Sequence, residues 1–297
     1  MVAHWVTNTV AHRLFIGLIM IVIQNHASQC SVKIGPLSPR NNAMSDILIH
    51  TEAGVCTVTL ARLDKKNSLT SSMYGELAQA LRAAQHSADV RVVVLQGSET
   101  VFCAGNDIDD FIQNPPDSLE ASVFQFLNAL VEFPKPLIAG VCGPAVGVGT
   151  TMLFHCDLVY AGDNAVFSMP FVNLGICPEA ASSLLVPSVM GYQRAAQALL
   201  LGEPFMAEAA LEVGLVNQIL PPTELNAFVQ RQAAKLAIKP LRSVLETKRL
   251  LKGHHLPALQ ERMREEAKLL AQLLKEPAAK EALQAFKEKR KPNFAGL

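Results

Sequence analysis

The chain has 297 residues, half of them apolar, and its 26 basic side chains are matched by 26 acidic ones. That is enough material for one large domain or two modest ones with a real core. Zero formal charge and only 6% aromatic residues argue against the basic face and stacking platforms that nucleic acids require, which leaves a small molecule as the expected partner.

The first 43 residues differ in kind from the rest. "LFIGLIMIVI", Leu14 to Ile23, is a ten-residue apolar run, too short to span a bilayer comfortably. With Arg13 before it and "HASQC" after it, the run imitates a signal peptide. A secretory signal, a membrane anchor and a sequence upstream of a start at Met44 compete. The globular character of "SDILIHTEAGVCTVTLARL" favours the third.

From Met44 onward, strand and helix signals alternate. "ILIHT" and "VCTVTLA" are β-rich runs separated by "EAG", a hairpin pattern. "TSSMYGELAQALRAAQ" offers Thr70 as N-cap and places Met73, Leu77, Leu81 and Ala84 on one helical face. "VRVVVLQG" and "KPLIAGV" are short apolar strands, and the second runs into "CGPAVGVG" and "TTMLFHC". "DLVYAG" and "AVFSM" follow as strands. Beyond Gly191 the segments "YQRAAQALLLG", "AEAALEVG", "TELNAFVQRQAAKLAI", "PLRSVLETKRLLK" and "LPALQERMREEAKLLAQLLK" all read as helices. Strands early and helices late predict an α/β body with a helical end. The last of these helices has apolar surface to spare for a subunit partner, and the tail "FKEKRKPNF" reads as a solvated basic face.

Several stretches could carry chemistry. "CGPAVGVGTT" has no lysine, so it is not a phosphate-binding Walker loop, and Gly143, Gly147 and Gly149 are not spaced as a dinucleotide fingerprint. It does join a strand end to a helix start, which exposes backbone N–H groups; close packing through small residues is the plainer alternative. In "VFCAGNDIDDF", Asp107, Asp109 and Asp110 lack the glycine and closing glutamate of a calcium loop, and helix capping or solvation explains them better. No metal site is expected. Cysteines 30, 56, 103, 142, 156 and 177 form no C-x-x-C pair, a pattern of reduced thiols in a cytosolic compartment. In "FVNLGICPEAASS" the single ionisable side chain is Glu179, directly after Pro178. It is either an ordinary helix-start residue or a working acid. Cys177 has no histidine near it in sequence and reads as a small buried side chain, and His155 beside "TTMLF" reads as packing.

"RLDKKNSLT", "FCAGNDIDDF", "KPLIAGVCGPAVGVG" and "CDLVYAGDNAVFSMPFVNLGICPE", in order and at ordinary spacing over roughly Ile47 to Leu251, resemble the successive signatures of the enoyl-CoA hydratase/isomerase superfamily, the crotonases. The resemblance implies an α/β fold, a crotonase-like spiral of ββα units spanning residues 44–239. It also implies a helical C-terminal oligomerisation region, 240–297, that builds homotrimers or homohexamers. The implied ligand is an acyl-CoA thioester, so no separate cofactor is needed. The implied oxyanion hole falls on the N–H groups of Asn106 and Val148. Ala104, Gly105, Asp107, Ile108 and Gly147 flank these as substrate contacts, while Arg62, Lys65, Lys66 and Lys248 match positions that meet the CoA phosphates.

A hydratase of this family would hold glutamates at Thr151 and Phe171; neither residue can trade protons. Glu179 matches the single glutamate of the 3,2-trans-enoyl-CoA isomerases, the peroxisomal type above all. A double-bond shift needs one base that moves a proton from C2 to C4 of a 3-enoyl thioester, and two N–H donors would stabilise the dienolate between. The expected activity is therefore 3,2-enoyl-CoA isomerisation in acyl-CoA catabolism. Hydration with unusual acid placement and a non-catalytic acyl-CoA-binding scaffold are the alternatives. The C-terminal "AGL" is not the S-K-L peroxisomal address, so the expected location is the cytoplasm.

Overall fold

Ile47–Glu52 (β1) and Val55–Leu60 (β2) form the expected antiparallel hairpin in the computed structural model, which describes residues 45–116, 118 and 120–297. The N-terminal extension, its apolar run and Cys30 lie outside the described residues. The hairpin turns through Ala53 and Gly54, both at positive φ, the twist that a two-residue connection between right-handed strands needs.

Ser71–His86 is helix α1. The Thr70 hydroxyl caps it by accepting from the Met73 N–H, and Met73, Leu77, Leu81 and Ala84 are buried as their spacing predicts. Val92–Gln96 (β3) is followed by Ile108–Gln113 (α2), Ser122–Glu132 (α3), Leu137–Val141 (β4) and Pro144–Val146 (β5). Val148–Thr151 (α4) is one turn that tightens into a 3-10 turn at Met152–His155. Leu158–Gly162 (β6), Val166–Ser168 (β7), Ser182–Met190 (α5) and Tyr192–Ala196 (α6) come next, α6 widening into a π turn through Leu201. Phe205–Met206 (β8), Ala207–Glu212 (α7) and Gln218–Leu220 (β9) complete the strand region. Pro222–Ala237 (α8), Leu241–Lys252 (α9), Leu256–Leu273 (α10) and Pro277–Lys287 (α11) form the helical end.

The main sheet has the order β1-β2-β3-β4-β6-β9, parallel throughout except for the first hairpin, and β5, β7 and β8 form a small second sheet. Strands β3 and β4 are unbroken apolar runs because both of their faces are covered. Val92, Val94 and Ile138 pack with Leu225, Val229 and Ala233 of α8. Val93, Leu95, Leu137 and Ala139 turn the other way, into the main core with α1 and α3. Leu259, Met263 and Ala267 of α10 join that same core, so the helical end is packed into the α/β body.

Helices α3 and α11 are among those the sequence did not announce. Helix α3 buries Phe124, Phe126, Leu127 and Leu130; its aromatic content hides a helical period that α1 supports from the other side. Helix α11 overlaps the residues read as a basic tail only at Phe286 and Lys287, and it buries Ala279, Ala282 and Ala285.

Phe126 is fully buried, with its ring centroid 5.8 Å from that of Tyr74. Phe126→Ala is expected to cost about 3–5 kcal/mol of unfolding free energy, measured by equilibrium urea denaturation.

Candidate active site

Two backbone turns meet beyond the carboxyl ends of β3 and β4. A parallel bridge joins Cys103 to Ala145, and the Val146 N–H donates to Cys103 O at 2.9 Å. The approach is close enough that a Cβ on Gly105, whose φ is +90°, would lie 2.9 Å from Val146 O. Gly147 at φ 54°, ψ −118° then turns the chain into α4 in a conformation open essentially to glycine.

The residues after these turns, Asn106 and Val148, line one cleft of about 350 Å³. On one side Leu69 bridges Asn106: the Leu69 N–H donates to Gly105 O and the Asp107 N–H to Leu69 O. That ladder uses the groups flanking Asn106 and leaves its own N–H directed away. Val148 is the first residue of α4, where no intrahelical acceptor exists. Among the described residues neither N–H has an acceptor. The Asn106 side chain is anchored by the Tyr74 hydroxyl, which donates to its Oδ1. Burial holds the Tyr74 phenol well above its usual range, so it remains a donor.

The cleft is otherwise apolar. Ala104, Gly105, Ile108 and Gly147 line it as expected, with Phe111, Val146, Pro170, Phe171 and Ile176. Helix α11 roofs it through Ala282, Leu283 and Phe286, and Arg290 and Pro292 beyond the helix complete the rim. Lys287 of α11 reaches Asp109 of α2 across this roof at 3.6 Å.

Glu179 does not itself line the cleft. It is 8% exposed, and its Oε1 accepts from the hydroxyl of Thr151, the last residue of the helix whose first residue is Val148. Its Oε2 is buried without a partner. Desolvation pushes the carboxyl up to about 8, the Thr151 hydrogen bond opposes that rise, and the neighbouring Glu266 carboxylate adds to it. The helix-start reading of Pro178–Glu179 does not hold: α5 begins only at Ser182, and Ala180 and Ala181 are both left-handed, at φ 59° and 54°. Non-glycine residues there cost of order 1–2 kcal/mol each, and such strain persists only where the surroundings over-determine it.

The basic residues are placed differently from one another. Lys65 and Lys66 are exposed on the early turn, and Lys66 O accepts from the Ala104 N–H. Arg62 is not free for a phosphate: its Nη1 donates to Asp107 Oδ2 at 2.7 Å and its Nε lies 3.5 Å from Asp46. Asp107 in turn caps α2 by accepting from the Asp110 N–H, and these backbone and Arg62 bonds hold its carboxyl below the usual range although partial burial pushes the other way. The pair therefore fastens the early turn to the Asn106 turn, and Asp107 is not part of the cleft lining. Lys248 stands apart. Its Nζ donates to Asp157 Oδ2 and to Lys135 O, both at 2.6 Å, beside a second cleft walled by Phe133, Phe154, Leu184 and Leu256. Within the chain it does not meet the Asn106–Val148 cleft.

His155 is packing, as read: neutral, with burial pushing it down to about 4, its Nε2 lies 2.7 Å from Ala180 O. The Cys177 thiol is pushed up to about 11 by burial and so stays protonated. Sequence reasoning missed Tyr74, Glu266 and the α11 roof. The i, i+3, i+4 spacing of Ala279, Ala282, Leu283 and Phe286 was the available signal for α11. The tail is not wholly solvated, because Arg290 pairs with both carboxylate oxygens of Glu281, nine residues away.

Unpaired main-chain donors at an apolar cleft, with a desolvated carboxyl beside it, are an arrangement able to polarise a carbonyl and to exchange a proton with the carbon next to it. Residues 50–296 match the family model described as enoyl-CoA hydratase/isomerase, and the chain belongs to that family of acyl-CoA enzymes. It is 36% identical over 212 residues to rat enoyl-CoA delta isomerase 2, covering 69% of this chain and 54% of the relative. Against 1,2-epoxyphenylacetyl-CoA isomerase of Escherichia coli it is 34% identical, covering 85% of this chain and 99% of the relative. The crystal structure of an enoyl-CoA hydratase/isomerase from Pseudoalteromonas atlantica superposes with a TM-score of 0.81 at 38% identity, covering 84% of this chain and all of that one. The chain spans little more than half the length of the rat delta isomerase and 63% of its human counterpart.

A carboxyl whose folded value is about 8 against an ordinary 4.5 binds its proton more tightly in the folded state. Its contribution to stability is thus full below about pH 4.5 and is lost as pH rises to about 8. Glu179→Gln removes that dependence. The melting temperature of the variant is expected to match wild type near pH 5 and to exceed it at pH 9, read by differential scanning calorimetry.

Proposed function

We propose that the chain is a 3,2-trans-enoyl-CoA isomerase in which Glu179 is the one proton shuttle. The observation that carries this reading is a single buried carboxyl with an unbonded oxygen, tied by Thr151 to the helix whose first N–H faces the cleft. A 3-enoyl-CoA places its thioester oxygen between the Asn106 and Val148 N–H groups. Glu179 takes a proton from C2, and the C–H pair forms a C1–C2 double bond while the carbonyl pair moves onto the thioester oxygen, giving a dienolate. As that oxygen re-forms the carbonyl, the C1–C2 pair shifts to C2–C3 and the C3–C4 pair takes the proton back from the same carboxyl at C4. No water is consumed and no atom is gained or lost.

The magnitudes are compatible with this chemistry. Losing one such N–H donor typically costs ~100- to 1000-fold in rate. Each unit by which burial raises the base narrows its mismatch with the weakly acidic C2 proton by about 1.4 kcal/mol. The positions of the two hydratase acids support the isomerase reading over hydration. Thr151 donates a hydrogen bond and Phe171 contributes a buried ring, so no second carboxyl stands ready to activate water.

Lys65 and Lys66 are the basic groups left to meet the CoA phosphates. The apolar wall from α11 suits an acyl chain. Helix α9 buries none of its residues within the single chain and leaves Leu250 and Leu251 about 70% exposed, which supports assembly into trimers or pairs of trimers. The described cysteines are free thiols, in keeping with a reducing cytoplasm.

The test is conversion of 3-hexenoyl-CoA, followed by the gain of conjugated-thioester absorbance. Glu179→Gln is expected to lower kcat by ~100- to 10,000-fold, and undiminished turnover would remove Glu179 from the mechanism. For the native protein kcat is expected to rise with pH through about 8, since the base works deprotonated.

A further inference from the structure

Glu266 on α10 takes no part in the proton transfer, yet it is 5% exposed and every bond it makes is aimed at the segment that carries Glu179. Its Oε2 accepts from the Ala181 N–H at 2.6 Å; its Oε1 accepts from the Ser183 N–H at 3.0 Å and from the Ser183 hydroxyl. The first of those donors lies within the left-handed step at Ala180 and Ala181 and the others just after it, and alanine rarely adopts that conformation. The same step is held from the other side by His155, whose neutral ring donates to Ala180 O, and by Ser182, whose N–H and hydroxyl both donate to Glu179 O. Within "PEAASS" Ser182 closes the turn onto Glu179 O, and a carboxylate 85 residues further along the chain holds the amides from outside.

We propose that Glu266 is a positioning residue for the isomerisation: by gripping the Ala181 and Ser183 amides it holds the left-handed step that sets Glu179 against Thr151 and the Val148 end of the cleft. This rests on Glu179 being the base. The titratable groups facing Glu179 are Glu266 from α10, Tyr74 from α1 and Cys177 from its own segment; those facing Glu266 are Arg262 and Cys177. Tyr74 and Cys177 stay protonated, so Glu266 is the charge that acts on the base, and Arg262 moderates it.

Glu266→Gln puts an NH2 donor against a backbone N–H donor and removes that charge. In 3-hexenoyl-CoA turnover, kcat is expected to fall about 100-fold, as for a reacting group displaced by about 1 Å. KM should move less than about threefold, because Glu266 does not line the cleft. The acid limb of the kcat–pH profile should shift to lower pH, since a like charge opposing Glu179 ionisation is gone. A residue that serves stability alone would lower the melting temperature while leaving kcat per folded molecule and the acid limb in place, and that result overturns the proposal. Where Glu266→Gln does not fold, Ser183→Ala decides: it keeps both backbone bonds and removes one donor, so kcat should fall about threefold to tenfold at unchanged KM, and wild-type kcat overturns the proposal. Glu179→Gln, run in parallel, separates the two failures. An inactive Glu179→Gln beside a fully active Glu266→Gln sinks the role of Glu266 alone; an active Glu179→Gln sinks the base and, with it, its positioner.

Discussion

The constraint that organises this molecule is a carboxyl kept out of water with no cation beside it among the described residues. A buried acid ordinarily demands a positive partner, yet the charge acting on Glu179 is another carboxylate, Glu266. One hydroxyl, from Thr151, is its side-chain partner. Such a group rests protonated near neutrality and becomes a strong base whenever it is ionised. That is a poor arrangement for stability and a good one for drawing a proton from carbon. The neighbourhood is built to bear it: Ser182 and His155 satisfy the Glu179 and Ala180 carbonyls, and Glu266 satisfies the amides that follow.

The sheet supplies the other half of the site. Parallel strands send their connections out at their carboxyl ends, where crevices form. Strand β3 leads to the Cys103–Asn106 segment and β4 leads through β5 to Gly147 and Val148. Because Cys103 and Ala145 are bridged in parallel, the two chains leave the sheet side by side, and Asn106 and Val148 beyond them line one cleft. The donors are therefore fixed by main-chain register, with little side-chain freedom to lose. Arg62 and Asp107, read as ligand contacts, reinforce this register by tying the early turn to the start of α2.

What could be read from the sequence follows from range. The first hairpin, α1 with its Thr70 cap, and the apolar strands β3 and β4 declare themselves within a few residues, through period, turn and cap. Glycines 105 and 147 mark the two turns at the cleft, because both have positive φ and Gly105 also lies close against Val146 O. The Glu179 segment is the opposite case. Alanine is the strongest helix former, so "PEAASS" predicts a helix start, and the left-handed step there is held by Ser182, by His155 and by Glu266 of α10. The roof over the cleft is equally remote: α11 acquires its meaning from lying across the segment at Val172–Leu174 and from the Arg290–Glu281 pair that folds the tail back. Lys248 shows the converse failure. A basic residue at the matching position is held within its own chain by Asp157, and no local pattern announces that partner.

Thr151 is where these strands of reasoning meet. A glutamate at that position, as in a two-acid site, would stand within hydrogen-bonding distance of Glu179, and two carboxylates so close cannot both ionise readily. They would share a proton and divide the roles of acid and base, which is what adding water across a double bond calls for. Threonine instead offers one donor and no exchangeable charge. It stabilises the ionised form of Glu179 enough to offset part of the burial penalty, and it leaves the Glu179 Oε2 without a hydrogen-bond partner among the described residues. Phe171 likewise puts an apolar ring where a second acid would stand, so neither position adds a carboxyl to the one at Glu179, and this supports the proposed shift of hydrogen within one ligand over hydration.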